Sequence, residues 1–453
     1  MMDSPRITIY IASHNYGKYL SEAIESVLRQ SVDDWELIII DDNSTDNTPE
    51  IMQRYKGHPQ ISLFRTESIG LPAVSNYALS KARGRYVIRL DGDDVFDENI
   101  LLVLGNYLDK HSEIALVFPD YYLVDIYGDV YSHERRRIHN GNSRMDLPPN
   151  GACTLVRKDV LASVGGYRED LGAQDGFDLW TKIMDGYKTA HVNTPLFYYR
   201  RHGENLTTNI QRIVSARREI KMDAIRDKLE ELRPIVAVIP CRRNFDFISD
   251  LWKVELNGDS LLQRDIGACL TSKLFDHIVV TCDNPEAEDI LKKYDDPRLR
   301  FVLRDPKETV RTESIGPTLE RVVKEVDPYF SGVTVMRYIQ TPFVTTETLE
   351  EAVSTLAFSD ASSAFAVEEI HSPLYQRTPH GFNRIGRRGE LSSDFDTVYR
   401  DPKTCQVIRN KNLRNGSLTG AALASFVVSP AECFFIGSER DLLMARLMLE
   451  GLS

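Results

Sequence analysis

Gly84-Arg-Tyr-Val-Ile-Arg-Leu-Asp-Gly-Asp-Asp94 is the stretch that decides the fold. Its short apolar run predicts a buried strand that ends in a carboxylate cluster. Two acids flanking Gly92 at a strand's end suit a hard divalent cation, Mg²⁺ or Mn²⁺. Such an ion keeps open positions for water and for the diphosphate of a nucleotide-activated substrate, whose leaving charge it neutralises. A solvated acidic turn is the plain alternative. An EF-hand loop is excluded, because Val95 and the lack of a correctly placed Gly break its ligand spacing.

Upstream, residues 6–12 read as a strand, 17–30 as an amphipathic helix, 35–40 as a second strand and 46–56 as a helix starting near Asp46. Strands alternating with helices imply a mostly parallel sheet covered on both faces, with ligands outside the carboxyl ends of the strands. The clusters Ser13-His14-Asn15-Tyr16, Asp41-Asp42-Asn43-Ser44 and Asp91-Gly92-Asp93-Asp94 each follow a strand, so the fold should gather them along one rim.

Downstream, residues from about Asn209 to Leu232 are charged and helix-prone, and read as a connector. The chain then begins again with Ile235-Val-Ala-Val-Ile-Pro240 and a polar Arg242-Arg243-Asn244 turn. Residues 275–284 echo 35–43, and Thr-Glu-Ser-Ile-Gly occurs at both 66–70 and 312–316. This order of elements predicts an α/β chain of two tandem Rossmann-like domains with mostly parallel central sheets. The predicted boundaries are 1–208, a helical linker over 209–233, and 234–453.

At 453 residues, 42% hydrophobic and 27% charged, the chain is too long for one core and suits two. A formal net charge of −12 argues against a general nucleic-acid binder. The six cysteines have no C-x-x-C spacing, so neither a zinc site nor a disulfide framework is indicated. Neither a signal peptide nor a membrane span is readable.

Five ordered motifs carry a resemblance: Ile11-Ala-Ser-His-Asn-Tyr16, Ile40-Asp-Asp-Asn-Ser-Thr-Asp46, Leu90-Asp-Gly-Asp-Asp94, Gly165-Gly-Tyr167 and Gln174-Asp-Gly-Phe-Asp-Leu-Trp180. Over roughly residues 5–209 the chain resembles the family-2 glycosyltransferases of GT-A fold. That resemblance implies transfer of a sugar from a nucleoside diphosphate to an acceptor hydroxyl with inversion at the anomeric carbon. It implies a donor site built from Ser13, Asn15, Tyr16, Asp41, Asp42, Asn76, Asp91 and Arg201, with Asp41 or its neighbour Asp42 accepting from the base. The plain alternative for either acid is a helix cap or loop brace. Asp93 and His202 would hold the cation, and Arg200 or Arg201 would clamp phosphate oxygens. Asp175 is the candidate base, its side chain expected to be free at a helix start, with Asp178 as competitor. Many relatives place an Arg-Asn pair where this chain has Ser75-Asn76, so one donor contact must be absent or supplied elsewhere.

Residues 234–453 resemble the acylneuraminate cytidylyltransferases through Val238-Ile-Pro-Cys-Arg-Arg243, Lys253, Leu256-Asn-Gly-Asp-Ser-Leu-Leu262 and Gln340-Thr-Pro342. Where such enzymes carry a small-residue phosphate loop, this chain has the bulky, acidic Asn244-Phe-Asp-Phe-Ile-Ser-Asp250. Paired aspartates before the last helix are replaced by Phe435-Ile-Gly-Ser-Glu439. A domain that kept the fold while losing or changing the reaction is expected. Arg242, Arg243, Lys253 and Arg304 remain candidates for holding an anion.

The resulting expectation is an inverting, metal-dependent glycosyltransferase of surface-glycan biosynthesis, with a nucleotide-sugar donor, a UDP-sugar by preference, and a glycan or lipid-linked acceptor. It would be cytoplasmic or peripheral to the inner membrane face, and compatible with homo-oligomerisation. Two alternatives stand beside it: a bifunctional enzyme whose second half makes a CMP-sugar, and a C-terminal scaffold that binds a ligand or partner.

Overall fold

The computed structural model describes residues 4–134, 151–171, 174–202, 210–310, 313–370, 372–379, 381–385, 398–414 and 416–450. The chain divides into two compact units, Met1–Ile220 and Lys221–Ser453.

The first unit opens with β1 (Ile7–Ser13), α1 (Gly17–Leu28), β2 (Trp35–Asp42), α2 (Thr48–Gln53), β3 (Ile61–Thr66), α3 (Leu71–Lys81) and β4 (Tyr86–Asp91). It continues through β5 (Val95–Phe96), α4 (Ile100–Lys110), β6 (Ile114–Val124), β7 (Val130–Glu134), β8 (Leu155–Arg157), α5 (Lys158–Ser163), α6 (Asp175–Gly186) and β9 (Lys188–Arg200). Helix α7 (Ile210–Ile225) carries the chain onward. The sheet order is β3-β2-β1-β4-β8-β6-β9-β5, with β7 beside β6. The strands β3, β2, β1 and β4 run parallel, and β8 is antiparallel to both its neighbours.

The near-continuous apolar run of β1 follows from burial on both faces. Ile7, Ile9 and Ile11 pack with Leu20, Ile24 and Val27 of α1, whereas Tyr10 packs with Ile38, Val74 and Ala78 on the face covered by α3. Burying each of these isoleucines contributes about 1.5–3 kcal/mol as an upper estimate. The period-2 alternation continues in β4: Ile88 and Leu90 join the first cluster, and Val87 joins the second with Leu179 and Trp180 of α6. Arg89 and Asp91 are therefore on the α6 side of the sheet.

Two helices are shorter than their periodicity predicts. Asp46 lies outside α2 because its carboxylate accepts from Thr48 N and Gly17 N, a turn that ties the helix start to α1. Past Leu28, the Gln30 side chain bonds back to Ser26 O and across to Asp97 O, ending α1 early.

The second unit begins with β10 (Ile235–Pro240), β11 (Glu255–Leu256), β12 (Asp259–Ser260), α8 (Leu261–Thr271), β13 (His277–Cys282), α9 (Ala287–Leu291), β14 (Leu299–Leu303), α10 (Gly316–Val326) and β15 (Val333–Arg337). There follow α11 (Thr346–Ser359), β16 (Ser363–Ile370), β17 (Leu374–Thr378), β18 (Gly381–Ile385), β19 (Val398–Arg400), β20 (Cys405–Arg409), α12 (Asn410–Leu413), β21 (Leu423–Val427) and α13 (Glu439–Glu450). Its main sheet runs β14-β13-β10-β15-β20-β16-β19, with β21 beside β16.

Apart from β5, which has no counterpart among the described residues, this is the first sheet again. β14, β13, β10 and β15 are parallel as β3, β2, β1 and β4 are; β20 is antiparallel to β15 and β16 as β8 is to β4 and β6; β21 is parallel to β16 as β9 is to β6. The repeated pentapeptide falls at one topological place, between the third strand and the next helix: Gly70 precedes α3 and Gly316 opens α10. Thr312 and the expected 208/209 boundary lie outside the described residues. No helix among the described residues is long and apolar enough to cross a membrane.

Candidate active site

Parallel pairing sets the rim. Ser13 pairs with Asp41 and Ala12 with Asp91, so the three polar clusters stand side by side at the carboxyl ends of β1, β2 and β4. Gly92 permits the close approach of the β1 and β4 clusters: a Cβ there would lie 3.3 Å from Tyr16 Cβ and 3.4 Å from Ser13 Oγ. Ser13 Oγ is buried without a hydrogen-bond partner. Asn15 takes a left-handed backbone (φ 62) and braces the rim, its Oδ1 accepting from Thr45 N at 2.8 Å.

Asp41 and Asp42 are distinguished by their partners. Asp42 accepts from Thr66 Oγ1 (2.7 Å), Ile69 N (2.9 Å) and Gly70 N (2.9 Å), and so orders the start of α3. Among the described residues Asp41 accepts only from Ser44 N, at 2.8 Å, and its Oδ2 has no hydrogen bond, with Arg65 Nε 3.5 Å away. Of the two, Asp41 is the acid with more accepting capacity left.

In the acidic turn, Asp93 Oδ2 lies 2.9 Å from His202 Nε2, and His202 stacks on Tyr19. Asp94 Oδ1 accepts from Arg200 N at 2.8 Å while its buried Oδ2 has no hydrogen-bond partner. Burial pushes the Asp91 carboxyl up to about 6 against the pull of Arg89, and pushes Asp93 and Asp94 upward as well. The Tyr16 hydroxyl is raised by burial and then by these acids. Among the described residues no three His, Cys, Asp or Glu side chains are gathered to hold a metal ion by themselves. The donor set nevertheless fits a hard cation completed by phosphate and water oxygens: desolvated carboxylates, an orphaned Asp94 oxygen and one imidazole.

Three expectations need correction. Asn76 has its amide engaged by protein: its Nδ2 donates to Tyr167 O and Glu169 Oε1 and its Oδ1 accepts from Tyr167 N, which holds the Gly165-Gly166-Tyr167 turn. Arg200 is no phosphate clamp, because it is buried and donates to Asp93 O, Asp125 O and Glu22. Arg201 is exposed just beyond it. Asp175 is not free: it opens α6 after Gln174, and its Oδ2 accepts from Arg89 Nη1. Its competitor Asp178 is buried against Lys182 at 2.7 Å, and burial pushes its carboxyl up.

Arg89 was invisible as a site residue in the sequence. Its Nε sits 3.0 Å from Asp91 Oδ1, an ion pair whose N–H is not aimed at the oxygen. One guanidinium thus links the acidic turn to Asp175. The available signal was a charge at an inward position of an otherwise apolar strand.

In the second unit, Ile235 pairs with Val333 as Ile7 does with Tyr86. That register, with the β10–β13 pairing, sets Asp283 where Asp42 stands, and Tyr338-Ile339-Gln340-Thr341 where Asp91-Gly92-Asp93-Asp94 stands. Asp283 also braces its loop, accepting from Arg243 N and Thr309 Oγ1. Arg337 is buried and donates to Asp265, Tyr338 O, Thr341 and Thr404 O. Of the basic residues singled out, Arg304 is buried with its guanidinium on the carbonyls of Cys241 and Glu308, Lys253 pairs with Glu286, and Arg242 lies over Phe245.

Residues 8–162 match the family model Glycosyl transferase family 2, and residues 254–395 match the model Cytidylyltransferase. A Bacillus subtilis protein named "Putative teichuronic acid biosynthesis glycosyltransferase TuaG" is 39% identical over 211 residues, which cover 45% of this chain and 82% of that one. The chain belongs to glycosyl transferase family 2. This family-2 glycosyltransferase is also 26% identical to the chondroitin synthase of Escherichia coli over 53% of its own length, but spans only 36% of that relative. Among solved structures it is similar to S. aureus TarS 1-349 in complex with UDP-GlcNAc, at 18% identity and a TM-score of 0.43, covering 49% of this chain and 66% of that one.

Proposed function

We propose that the first unit catalyses metal-dependent, inverting transfer of a sugar from a UDP-sugar to an acceptor hydroxyl in surface-polysaccharide biosynthesis, on the cytoplasmic side of a membrane. The observation that carries this reading is the convergence, on one rim, of Asp91, Asp93 and His202 with Asp175, through Arg89. Asp41, with its free oxygen, would accept from the ring N–H of the uracil, and Ser13, Asn15 and Tyr16 would line the nucleoside side. Asp93 and His202 would hold Mg²⁺ or Mn²⁺, with Asp91 toward the ribose or the ion's water. When bound, the ion would neutralise the charge of the leaving diphosphate. Arg201, exposed at the rim, would meet phosphate oxygens.

Asp175 would take the acceptor's proton as its oxygen attacks the anomeric carbon. The new C–O bond forms as the bond to the diphosphate breaks on the opposite face, through a transition state of oxocarbenium character. One carboxylate and no covalent sugar intermediate suffice for inversion. The test is UDP release from UDP-N-acetylglucosamine, UDP-galactose and UDP-glucuronate with Mn²⁺, alongside calorimetric titration of UDP. Metal-independent UDP affinity and no turnover of any donor would sink the reading.

The second unit reads as a nucleotidyltransferase fold that has lost or changed its reaction. Tyr338-Ile339-Gln340-Thr341 occupies the turn that is acidic in the first unit, and Arg304, Lys253 and Arg337 are engaged by protein groups. A second reading, a bifunctional CMP-sugar synthetase, is favoured by the match over residues 254–395. Turnover of CTP with an acidic sugar would establish it. Nucleotide or protein binding without turnover would instead favour a scaffold.

A further inference from the structure

We propose that Arg89 is a positioning residue for glycosyl transfer, its buried guanidinium tying Asp175 to Asp91 and so fixing the base against the donor side of the site. This rests on the reading of Asp175 as the base. Arg89 is 5% exposed and lies inside β4, between the apolar Ile88 and Leu90. Burying an ion pair gains little stability over a well-packed apolar replacement, so a purely structural role gives no reason for a guanidinium here.

The surroundings are shaped to this side chain. A Cβ on Gly151 would come 2.9 Å from Arg89 Nη2, and a Cβ on Gly176 would come 2.8 Å from Gly151 Cα. The bare backbone of Gly151 therefore closes on the guanidinium, and Gly176, the residue that follows Asp175, packs on Gly151 in turn. The first turn of α6 packs on Gly151 because Gly176 has no side chain, and Asp175 of that turn meets Arg89. Behind the guanidinium, the hydroxyls of Tyr10 and Tyr167 are hydrogen-bonded to each other at 3.1 Å in the buried face.

The consequence is geometric. With Oδ2 of Asp175 held by Nη1, the carboxylate keeps one rotamer, and Oδ1 is left to receive the proton. Lysine, a point charge without the planar fork, cannot span both carboxylates in the same way.

The experiment uses the full-length protein and whichever of the three UDP-sugars it turns over, with Mn²⁺ and water as acceptor. Arg89→Met should lower kcat roughly 10²-fold, the scale of a misplaced catalytic group, while donor KM and Mn²⁺-dependent UDP affinity stay within about threefold. Asp175→Asn should be at least as slow, and the double variant Arg89→Met/Asp175→Asn no slower than Asp175→Asn alone. Arg89→Lys should recover part of the loss. Should Arg89→Met fail to fold, Gly151→Ala keeps every charge, presses on Nη2, and should reproduce the fall in kcat. Additive losses in the double variant, or full kcat in Arg89→Met or Gly151→Ala while Asp175→Asn is inactive, would overturn the proposal alone. Full kcat in Asp175→Asn would instead remove the base assignment on which it rests.

Discussion

His202 Nε2 stands 2.9 Å from Asp93 Oδ2, although 109 residues separate the two in the chain. The contact closes the acidic turn against the end of β9, with the imidazole stacked on Tyr19 at 5.5 Å between ring centroids. Asp93→Ala should lower transfer by about 10²- to 10³-fold with the fold intact, and His202→Ala should weaken Mn²⁺ affinity by about 10- to 100-fold. Steady-state UDP release reads the first, and calorimetric titration of Mn²⁺ in the presence of UDP reads the affinity of both variants. Unchanged affinity in the two variants would count against the assigned site.

The raised carboxyl of Asp91 makes metal stabilisation depend on pH. Its folded-state pKa, about 6, is above that of an unfolded aspartate, so the folded protein binds more protons between these values. Stability is then highest below the unfolded pKa and falls as pH rises through about 6. About a quarter of the side chain is exposed (25%), which discounts the penalty to roughly 1–2 kcal/mol. Mn²⁺ should therefore raise the melting temperature of the first unit more at about pH 7.5 than at about pH 5. Equal increments by scanning calorimetry would remove this account.

The two acids of α6 should separate cleanly. Asp175→Asn should cost about 10²- to 10⁴-fold in transfer rate. Asp178→Asn, which loses a pairing to Lys182, should act on stability and leave kcat within about threefold. A reversed pattern in steady-state kinetics would exchange the roles.

Asp41 and Asp42 should do the same at the donor side. Asp42→Ala strands three donors around the start of α3 and should destabilise by about 1–3 kcal/mol in urea unfolding. Asp41→Asn should instead weaken UDP binding with little change in midpoint. Equal UDP affinity in Asp41→Asn would contradict the base contact.

In the second unit, Arg337→Ala leaves Asp265 buried without its partner and should cost about 3–5 kcal/mol. Thermal unfolding of the full chain should show the second unit melting first, with UDP-sugar turnover by the first unit retained at 25 °C, about the temperature to which such values refer. An unchanged melting profile would mean that this pair is replaceable.

The order of elements and the shared rim were legible because β1, β2 and β4 are apolar runs ended by polar clusters, a one-dimensional pattern that parallel pairing converts directly into proximity. Partner choice was not. Nothing local tells that Asp42 takes the amides of Ile69 and Gly70 while Asp41 keeps a free oxygen, since those amides lie 27 and 28 residues on. Asn76 reads as a donor contact until the turn around Gly166, 91 residues from its hydrogen-bond partner, folds onto it. Arg89 escaped for a related reason: a strand pattern marks which face a residue joins, whereas α6, which carries its partner, begins 86 residues later.

Two sheets with one strand order in one chain also set a problem for folding. Parallel pairing is made by backbone groups, so while both sheets are open, β10 competes for the edge of β2 and β1 for that of β13. Exchanged strands of this kind are a characteristic failure of repeated domains. Synthesis from the N-terminus relieves the competition, because β9 ends at Arg200 and the first sheet has all its strands before Ile235 begins the second.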